Sequence, residues 1–316
     1  MTTNTLYEHL VFDTEASPHD DPAQRLARRA IPPISGSLAR SAAAYRPDPD
    51  LIEAVNVALA TAQPLLITGE PGTGKTQLAY YLAHYFQINH DTHLYRLDVK
   101  STTTHEALTY SFDAVAYLHA ASDPKREGEN IDKGEFVEEG VLWRAYRATG
   151  QSIVLIDEID KAPRDFPNDL LRVLDEHSFY CRERRETVRL EQQAPPLTII
   201  TSNNERRLPD AFLRRCTYHH IDLSEALVKR AVGAHLDNPD FPDLEPGVHQ
   251  AAINRFLELR ERQLNKAPSL GELLVWLAVL AAKEYKDGHN LSTCPLGEMP
   301  GLNTLIKDWD DRNSLV

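Results

Sequence analysis

A glycine-rich segment at residues 69–76 has the residue types and spacing of a phosphate-binding loop. It satisfies the pattern G-x-x-x-x-G-K-[ST] of the P-loop. Glycines let successive backbone N–H groups point inward at a phosphate, and the N-terminus of a following helix adds positive potential. Lys75 is expected to reach the β- and γ-phosphates, and the Thr76 hydroxyl to bind Mg²⁺. The expected nucleotide-binding residues of this loop are Gly69, Glu70, Pro71, Gly72, Thr73, Gly74, Lys75 and Thr76.

Two acidic residues, Asp157 and Glu158, follow the most hydrophobic run of the chain, residues 153–156. Ligands bind at the carboxyl ends of the strands in parallel sheets. Asp157 is therefore expected to hold Mg²⁺, through water, and to belong to the nucleotide site. Glu158 is expected to orient and polarise the attacking water. A strand end with solvated acids is the alternative, which the upstream P-loop disfavours.

Two further groups of polar residues follow along the chain. Asn203 ends the next apolar run and is expected to hydrogen-bond the γ-phosphate or the water, although Ser-Asn-Asn is also typical of a turn. Residues 210–213 predict a short helix that leaves Arg214 and Arg215 at its end. An arginine presented to a neighbouring subunit's nucleotide would neutralise charge in the transition state. We expect Arg215 to be this arginine finger and Arg214 its support.

The elements that must position these residues alternate between strands and helices. Apolar runs predict strands at 64–68, 94–99, 152–156 and 197–201. Helical patterns lie at 51–61 and from Leu78 to Phe86, so the fold class is α/β with a parallel sheet covered on both faces. Strand signals stop near Ser224. We expect an irregular arm at 1–46, a nucleotide-binding core at 47–222, and a helical domain with a tail at 223–316.

Composition limits the function classes. The chain has 316 residues with 34 basic and 47 acidic side chains, a net charge of −13, which disfavours a general nucleic-acid binder. Its three cysteines are far apart and predict neither a disulfide framework nor a zinc site. The sequence shows no run of about 18 apolar residues and no signal peptide, so we expect a cytoplasmic protein without a membrane partner.

In order along the chain, the P-loop, Asp157–Ala162, Thr201–Asn203 and Ala211–Cys216 resemble an AAA+ ATPase of the MoxR family. The resemblance covers about residues 47–285. It implies ATP and Mg²⁺ as cofactors, a P-loop NTPase αβα sandwich, a small all-α lid, and a homo-oligomeric ring, typically a hexamer, with shared ATP sites. MoxR-like proteins act as chaperone-like remodellers of protein clients, often with a von Willebrand factor A domain partner.

The resemblance also implies two inserts. Residues 102–118 fit an insert in the second helix, and 179–190 fit a hairpin before Asn203, while 123–139 are expected to form a surface loop. One departure concerns the lid, because Gly271 stands where the family has its sensor 2 arginine. Either another residue, such as Lys266, substitutes for it, or this chain works without one.

Three functions follow from these residues. The leading hypothesis is a Mg²⁺-dependent ATPase that remodels or matures a protein partner. The first alternative is a nucleotide-controlled interaction module with slow turnover, which the missing arginine at Gly271 favours. The second is a nucleic-acid motor that uses the basic hairpin at 179–190, which the net charge disfavours.

Overall fold

The computed structural model describes residues 38–39, 42–123, 131–237 and 243–315, so most of the arm expected at 1–46 lies outside the described residues. The described strands are Leu65–Gly69 (β1), Leu94–Asp98 (β2), Tyr110–Phe112 (β3), Val137–Glu139 (β4), Ile153–Asp157 (β5), Ser178–Cys181 (β6), Glu186–Arg189 (β7), Leu197–Ser202 (β8) and Thr217–Ile221 (β9). The described α-helices are Pro49–Thr61 (α1), Lys75–Tyr85 (α2), His90–His93 (α3), Ala114–Ala121 (α4), Val141–Tyr146 (α5), Phe166–Glu176 (α6), Asp210–Leu213 (α7), Glu225–Leu236 (α8), Pro246–Glu261 (α9), Leu270–Ala282 (α10), Gly288–Thr293 (α11) and Trp309–Ser314 (α12).

The chain forms two compact units. One comprises Pro47–Gly69 and Gly74–Ile221, which carry all the strands described above. The other contains Glu70–Thr73, Asp222–Val316 and the described residues before Pro47. The change from strands to helices therefore falls at 221/222, where the sequence analysis expects it near 222–224.

A five-stranded parallel sheet in the order β2-β5-β8-β1-β9 organises the first unit. The three inner strands are almost wholly buried, which explains why their sequences are continuous apolar runs rather than alternating ones. The predicted α/β class with a helical C-terminal part is confirmed. Strand β9 is not among the strands predicted from apolar runs, because its residues Thr-Tyr-His-His-Ile are mostly polar, as suits a strand at the edge of a sheet.

Helices α5 and α6 pack on one face of this sheet and close its core. Tyr146 of α5 is fully buried, and its hydroxyl donates to the Val173 carbonyl at 3.1 Å. Helix α6 buries an apolar stripe that includes Phe166, Leu170 and Leu174. These helices cover the apolar side chains of the strands, so the polar residues of the site can lie at the carboxyl ends of the strands.

Two antiparallel strand pairs lie outside the five-stranded sheet. Strands β6 and β7 pair at the position expected for the later hairpin. The first insert differs from expectation, because β3 pairs with β4, which lies beyond residue 118. The prediction of a surface loop at 123–139 is wrong for its end, because a 3-10 helix at Lys133–Phe136 and then β4 lie there. Residues 124–130 lie outside the described residues.

The two strand pairs contact each other through Arg184, in the turn between β6 and β7. Its guanidinium donates to Glu139 at 2.8 Å and lies 5.0 Å from the centre of the Trp143 ring. One arginine of the basic hairpin is therefore used inside the protein. This reduces the charge that the hairpin could offer to a nucleic acid.

The helical unit has its own apolar core. Phe256 of α9 and Trp276 of α10 are fully buried in it, and the Trp276 indole N–H donates to the Pro300 carbonyl at 2.7 Å. Helix α10 begins with a capping box between Ser269 and Glu272, which fixes its start. No helix in the described part of the chain is long and apolar enough to span a membrane.

Candidate active site

The P-loop connects β1 to α2. Gly69 ends the strand, and Lys75 is the first residue of the helix. Gly72 and Gly74 have φ angles of +80° and +91°, which L side chains rarely adopt, so both positions need glycine. The Lys75 side chain is buried, and its ammonium donates to the Gly69 carbonyl at 2.7 Å. The loop thus holds a positive charge at its centre, beside the N-terminus of α2.

Thr76 and Asp157 are 81 positions apart, yet they meet at the carboxyl edge of the sheet. The Thr76 hydroxyl donates to Asp157 Oδ1 at 2.8 Å. Mg²⁺ in nucleotide sites is commonly held by one or two protein oxygens together with phosphate oxygens and waters. A hydroxyl and a carboxylate side by side fit that donor set. Within the described residues, no group of three or more His, Cys, Asp or Glu forms a self-sufficient metal cage.

Asp157 is held in place by two residues that the sequence analysis did not assign to the site. The Thr201 hydroxyl donates to Asp157 Oδ1 at 2.6 Å, and Arg96 of β2 donates to Oδ2 at 3.0 Å. Asp157 is only 6% exposed, so these partners replace much of its hydration. A sequence signal existed for Arg96, because Arg96 and Asp98 are charged residues at period 2 in a strand.

Glu158 lies just beyond the strand with a left-handed backbone, at φ +61°. Its carboxylate accepts from Asn203 Nδ2 at 3.2 Å and pairs with Lys161. The hydrogen bond with Glu158 is the main reason that the pKa of Lys161 is raised. The structure therefore brings Glu158 and Asn203 together. Lys161 also contacts Glu158, although the sequence assigned it no role.

Buried Asp160 fixes the loop that carries Asn203. Its two carboxylate oxygens accept from the backbone N–H groups of Asn203 at 3.2 Å and Glu205 at 3.0 Å. Asp160 is 3% exposed, so these bonds are shielded from water. These bonds fix the backbone at Asn203, whose side-chain amide contacts Glu158.

Arg214 and Arg215 lie near the amino ends of the strands, whereas the P-loop lies at their carboxyl ends. The chain enters β9 at Thr217, whose N–H donates to the Pro64 carbonyl just before β1 begins. Strand β1 has five residues, so about 13 Å separates its start from its P-loop end. Arg215 is exposed and 3.7 Å from Asp175, and the exposed Arg214 side chain makes no ion pair within the described residues. The structure does not bring either arginine to the P-loop of its own chain.

In the helical unit, Gly271 is open to substitution, because a Cβ there would have only Ser269 Oγ within 4 Å, at 4.0 Å. Arg260 of α9, which the sequence analysis did not single out, donates to Glu70 at 2.6 Å and to the Pro268 carbonyl at 2.6 Å. Lys266 is exposed, and its backbone N–H bonds Asp311. Arg260 is therefore a cationic residue in contact with the Glu70–Thr73 segment, whereas the contact described for Lys266 is with Asp311.

Comparisons with known proteins show similarity to one domain family and to one curated chaperone. Residues 64–216 match the model of the AAA domain (dynein-related subfamily). The chain is 26% identical over 230 residues to a probable chaperone protein ClpB 1 of Chlorobaculum tepidum, an alignment that covers 67% of this chain and 48% of the relative. The chain thus spans about half the length of that curated relative.

A solved structure of a candidate ATPase from Cytophaga hutchinsonii aligns with 84% of this chain and 85% of its own, at 13% identity and a TM-score of 0.39. The segment matched by the family model, 64–216, contains the P-loop, Asp157, Glu158, Asn203 and both arginines. Residues 64–216 are thus similar to an AAA domain, and the chain shares 26% identity with the curated relative.

Proposed function

We propose that this protein is a Mg²⁺-dependent, MoxR-like AAA+ ATPase that forms a ring and remodels or matures a protein partner. One observation carries the proposal. Lys75, the Thr76–Asp157 pair and the Glu158–Asn203 pair converge at the P-loop edge of one sheet, although they come from three separate parts of the sequence.

Each residue has a role that follows from its place. Lys75 lies at the start of α2, where its ammonium can exchange the Gly69 carbonyl for phosphate oxygens. Thr76 and Asp157 would hold Mg²⁺, and the ion, when bound, neutralises charge on the β- and γ-phosphates. Glu158 accepts a hydrogen bond from a water and aligns it for attack, and Asn203 orients the Glu158 carboxylate.

The position of Arg215 supports a shared site. Charge that develops on the γ-phosphate is stabilised by an arginine in many phosphoryl-transfer enzymes. Arg215 and Arg214 are exposed at the edge of the sheet opposite the P-loop, so they can serve a neighbouring copy and not their own site. We therefore propose a ring, of six subunits by resemblance, in which Arg215 acts in trans.

The nature of the partner rests on similarity alone. The ClpB 1 relative bears the name of a chaperone, and the chain covers 48% of it. A protein client, and a partner with a von Willebrand factor A domain, are accordingly proposals. Association with nucleic acid is disfavoured by the net charge of −13 and by the use of Arg184 within the protein.

A slow, nucleotide-controlled interaction module is the second candidate. It is favoured by the pairing of Glu158 with Lys161, because a carboxylate engaged by an ammonium is a weaker acceptor for a water's proton. In this case the bound nucleotide, rather than turnover, would control partner binding. The difference between the two candidates is quantitative and lies in the rate of hydrolysis.

Steady-state ATP hydrolysis with Mg²⁺ tests the proposal. The parent should hydrolyse ATP, and Lys75→Ala should lose tight ATP binding because the charge facing the phosphates is removed. The matched control is Lys229→Ala, an exposed lysine paired with Glu225 in α8, which should behave as the parent. Parent protein that binds no ATP would refute the proposed function, and tight binding with negligible turnover would favour the interaction module.

A further inference from the structure

We infer that Arg96 sets the Mg²⁺ requirement of this site. Its guanidinium forms an ion pair with the Asp157 carboxylate, and its charge weakens Mg²⁺ binding at the same carboxylate. This inference rests on the proposed function, because it assumes that Thr76 and Asp157 hold Mg²⁺ with a nucleotide.

The backbone register aims Arg96 at Asp157. In the parallel pairing of β2 with β5, Arg96 is opposite Leu155, and Asp98 is opposite Asp157. Arg96 donates through Nη2 to Asp157 Oδ2 at 3.0 Å and through Nε to Asp98 Oδ1 at 2.7 Å. Two carboxylates thus orient the guanidinium, and the sheet fixes the distance between their strands.

The two oxygens of Asp157 have different partners. Oδ1 accepts from the hydroxyls of Thr76 and Thr201, and Oδ2 accepts from Arg96. An ion held by Thr76 would lie on the Oδ1 side, so Arg96 does not occupy the ion's position. Both cations would nevertheless share one carboxylate, so the charge of Arg96 would oppose binding of the ion.

The charge of Arg96 persists despite partial burial. An arginine guanidinium is not deprotonated in proteins, and Arg96 makes ion pairs with both Asp98 and Asp157. Of its two acidic partners, Asp98 is 61% exposed at the side chain and Asp157 only 8%. Asp157 therefore depends more on Arg96, since water screens and solvates Asp98.

This arrangement ties the metal to the nucleotide. With Arg96 in place, the Asp157 carboxylate is already neutralised, and free Mg²⁺ gains little by approaching it. Phosphate oxygens near Lys75 add the negative charge that makes the ion's binding favourable. The site should consequently take up Mg²⁺ with nucleotide and not before it.

The test compares Arg96→Gln and Arg96→Met with the parent. Glutamine retains a hydrogen-bond donor for Asp157 but no charge, whereas methionine retains neither. Mg²⁺ is titrated against binding of a fluorescent ADP, and the melting temperature is measured with ADP at each Mg²⁺ concentration. Both variants should reach half-saturation at about tenfold lower Mg²⁺, since a nearby unit charge changes ion affinity by that order.

Two controls define the effect. Arg96→Lys keeps the charge and should need Mg²⁺ at nearly the parent concentration. Arg172→Met removes an 80% exposed arginine that is paired with Glu176, and it should match the parent. If Arg96→Gln matched the parent while Arg96→Met needed more Mg²⁺, Arg96 would only orient Asp157, and the inference would be overturned.

The failures of the two proposals can be told apart. If the parent bound fluorescent ADP, Lys75→Ala did not, and neither neutral Arg96 variant needed less Mg²⁺, the Arg96 inference alone would be wrong. If the parent bound no nucleotide at any Mg²⁺ concentration, the proposed function and the inference would fail together. A variant that does not fold leaves the other neutral variant to decide the question.

Discussion

The Thr201 hydroxyl joins the Asp157 carboxylate to the backbone of Glu158, and its removal should lower both stability and turnover. It donates to Asp157 Oδ1 at 2.6 Å and accepts the Glu158 N–H at 2.9 Å. Thr201 is fully buried in β8. Thr201→Val keeps the shape of the side chain and deletes both hydrogen bonds, so no cavity confuses the result.

The expected cost follows from the two bonds. A hydrogen bond to a charged group contributes about 1.5–3 kcal/mol, and an N–H left without a partner costs about 1–3 kcal/mol when buried. Asp157 keeps Thr76 and Arg96, and the Glu158 N–H is partly accessible, so the lower halves of these ranges apply. We expect Thr201→Val to lower the free energy of unfolding by about 2–4 kcal/mol.

Thr198→Val is the matched control. Thr198 is in the same strand and is 5% exposed, but its hydroxyl contacts only the Pro196 carbonyl, at 3.4 Å. Its loss should cost about 1 kcal/mol or less. Urea unfolding and ATP hydrolysis of both variants provide the assay. Equal losses of stability in the two variants, or full turnover in Thr201→Val, would refute the role assigned to this hydroxyl.

Three further predictions concern other parts of the chain. Arg215→Ala should bind ATP normally but hydrolyse it about 10³-fold more slowly, and mixing it with Lys75→Ala protein should restore some activity; full activity in dilute monomer would contradict this. Gly72→Ala should destabilise the protein by more than about 1 kcal/mol, because φ is +80° and the new Cβ would lie 3.0 Å from Ser269 Cβ. The control Gly247→Ala in α9 places its Cβ in open space and should not destabilise the protein. Equal melting temperatures of the two variants would refute this prediction. Burial lowers the pKa of His219 from 6.5, so the neutral side chain stabilises the fold above about pH 6.5, and this contribution is lost as the pH falls through the lowered pKa. His219→Gln should therefore flatten the acid side of the curve of unfolding free energy against pH. An unchanged curve would contradict this prediction.

The proximity of the predicted site residues could be expected from local sequence patterns. A P-loop and an apolar strand ending in Asp-Glu each have few structural alternatives, so the convergence of Lys75, Thr76 and Asp157 could be expected. Four of the five sheet strands were predicted: the three inner ones from their mostly apolar runs, and edge strand β2 from the run at 94–99. Edge strand β9 has no such pattern, and it could be found only from its pairing with β1.

The partners of the site residues were harder to predict, because they come from distant parts of the chain. Arg96 reaches Asp157 through the β2–β5 register, and Arg260 reaches Glu70 across 190 positions. The strand partner of β3 was missed for a similar reason, since β4 is short and follows a charged segment. Periodicity identifies an element, but it does not say which elements pair.

Hydrolysis by Glu158→Gln is the most direct test of the central claim that this site splits ATP with a water aligned by Glu158. Glutamine keeps the size of the side chain and can still contact Asn203, but it cannot take a proton from water. The control is Glu205→Gln, whose exposed side chain lies beside the site. The account predicts that Glu158→Gln binds ATP with the parent's affinity and hydrolyses it at least about 10²-fold more slowly, with Glu205→Gln unchanged. Hydrolysis by Glu158→Gln at the parent rate would contradict it.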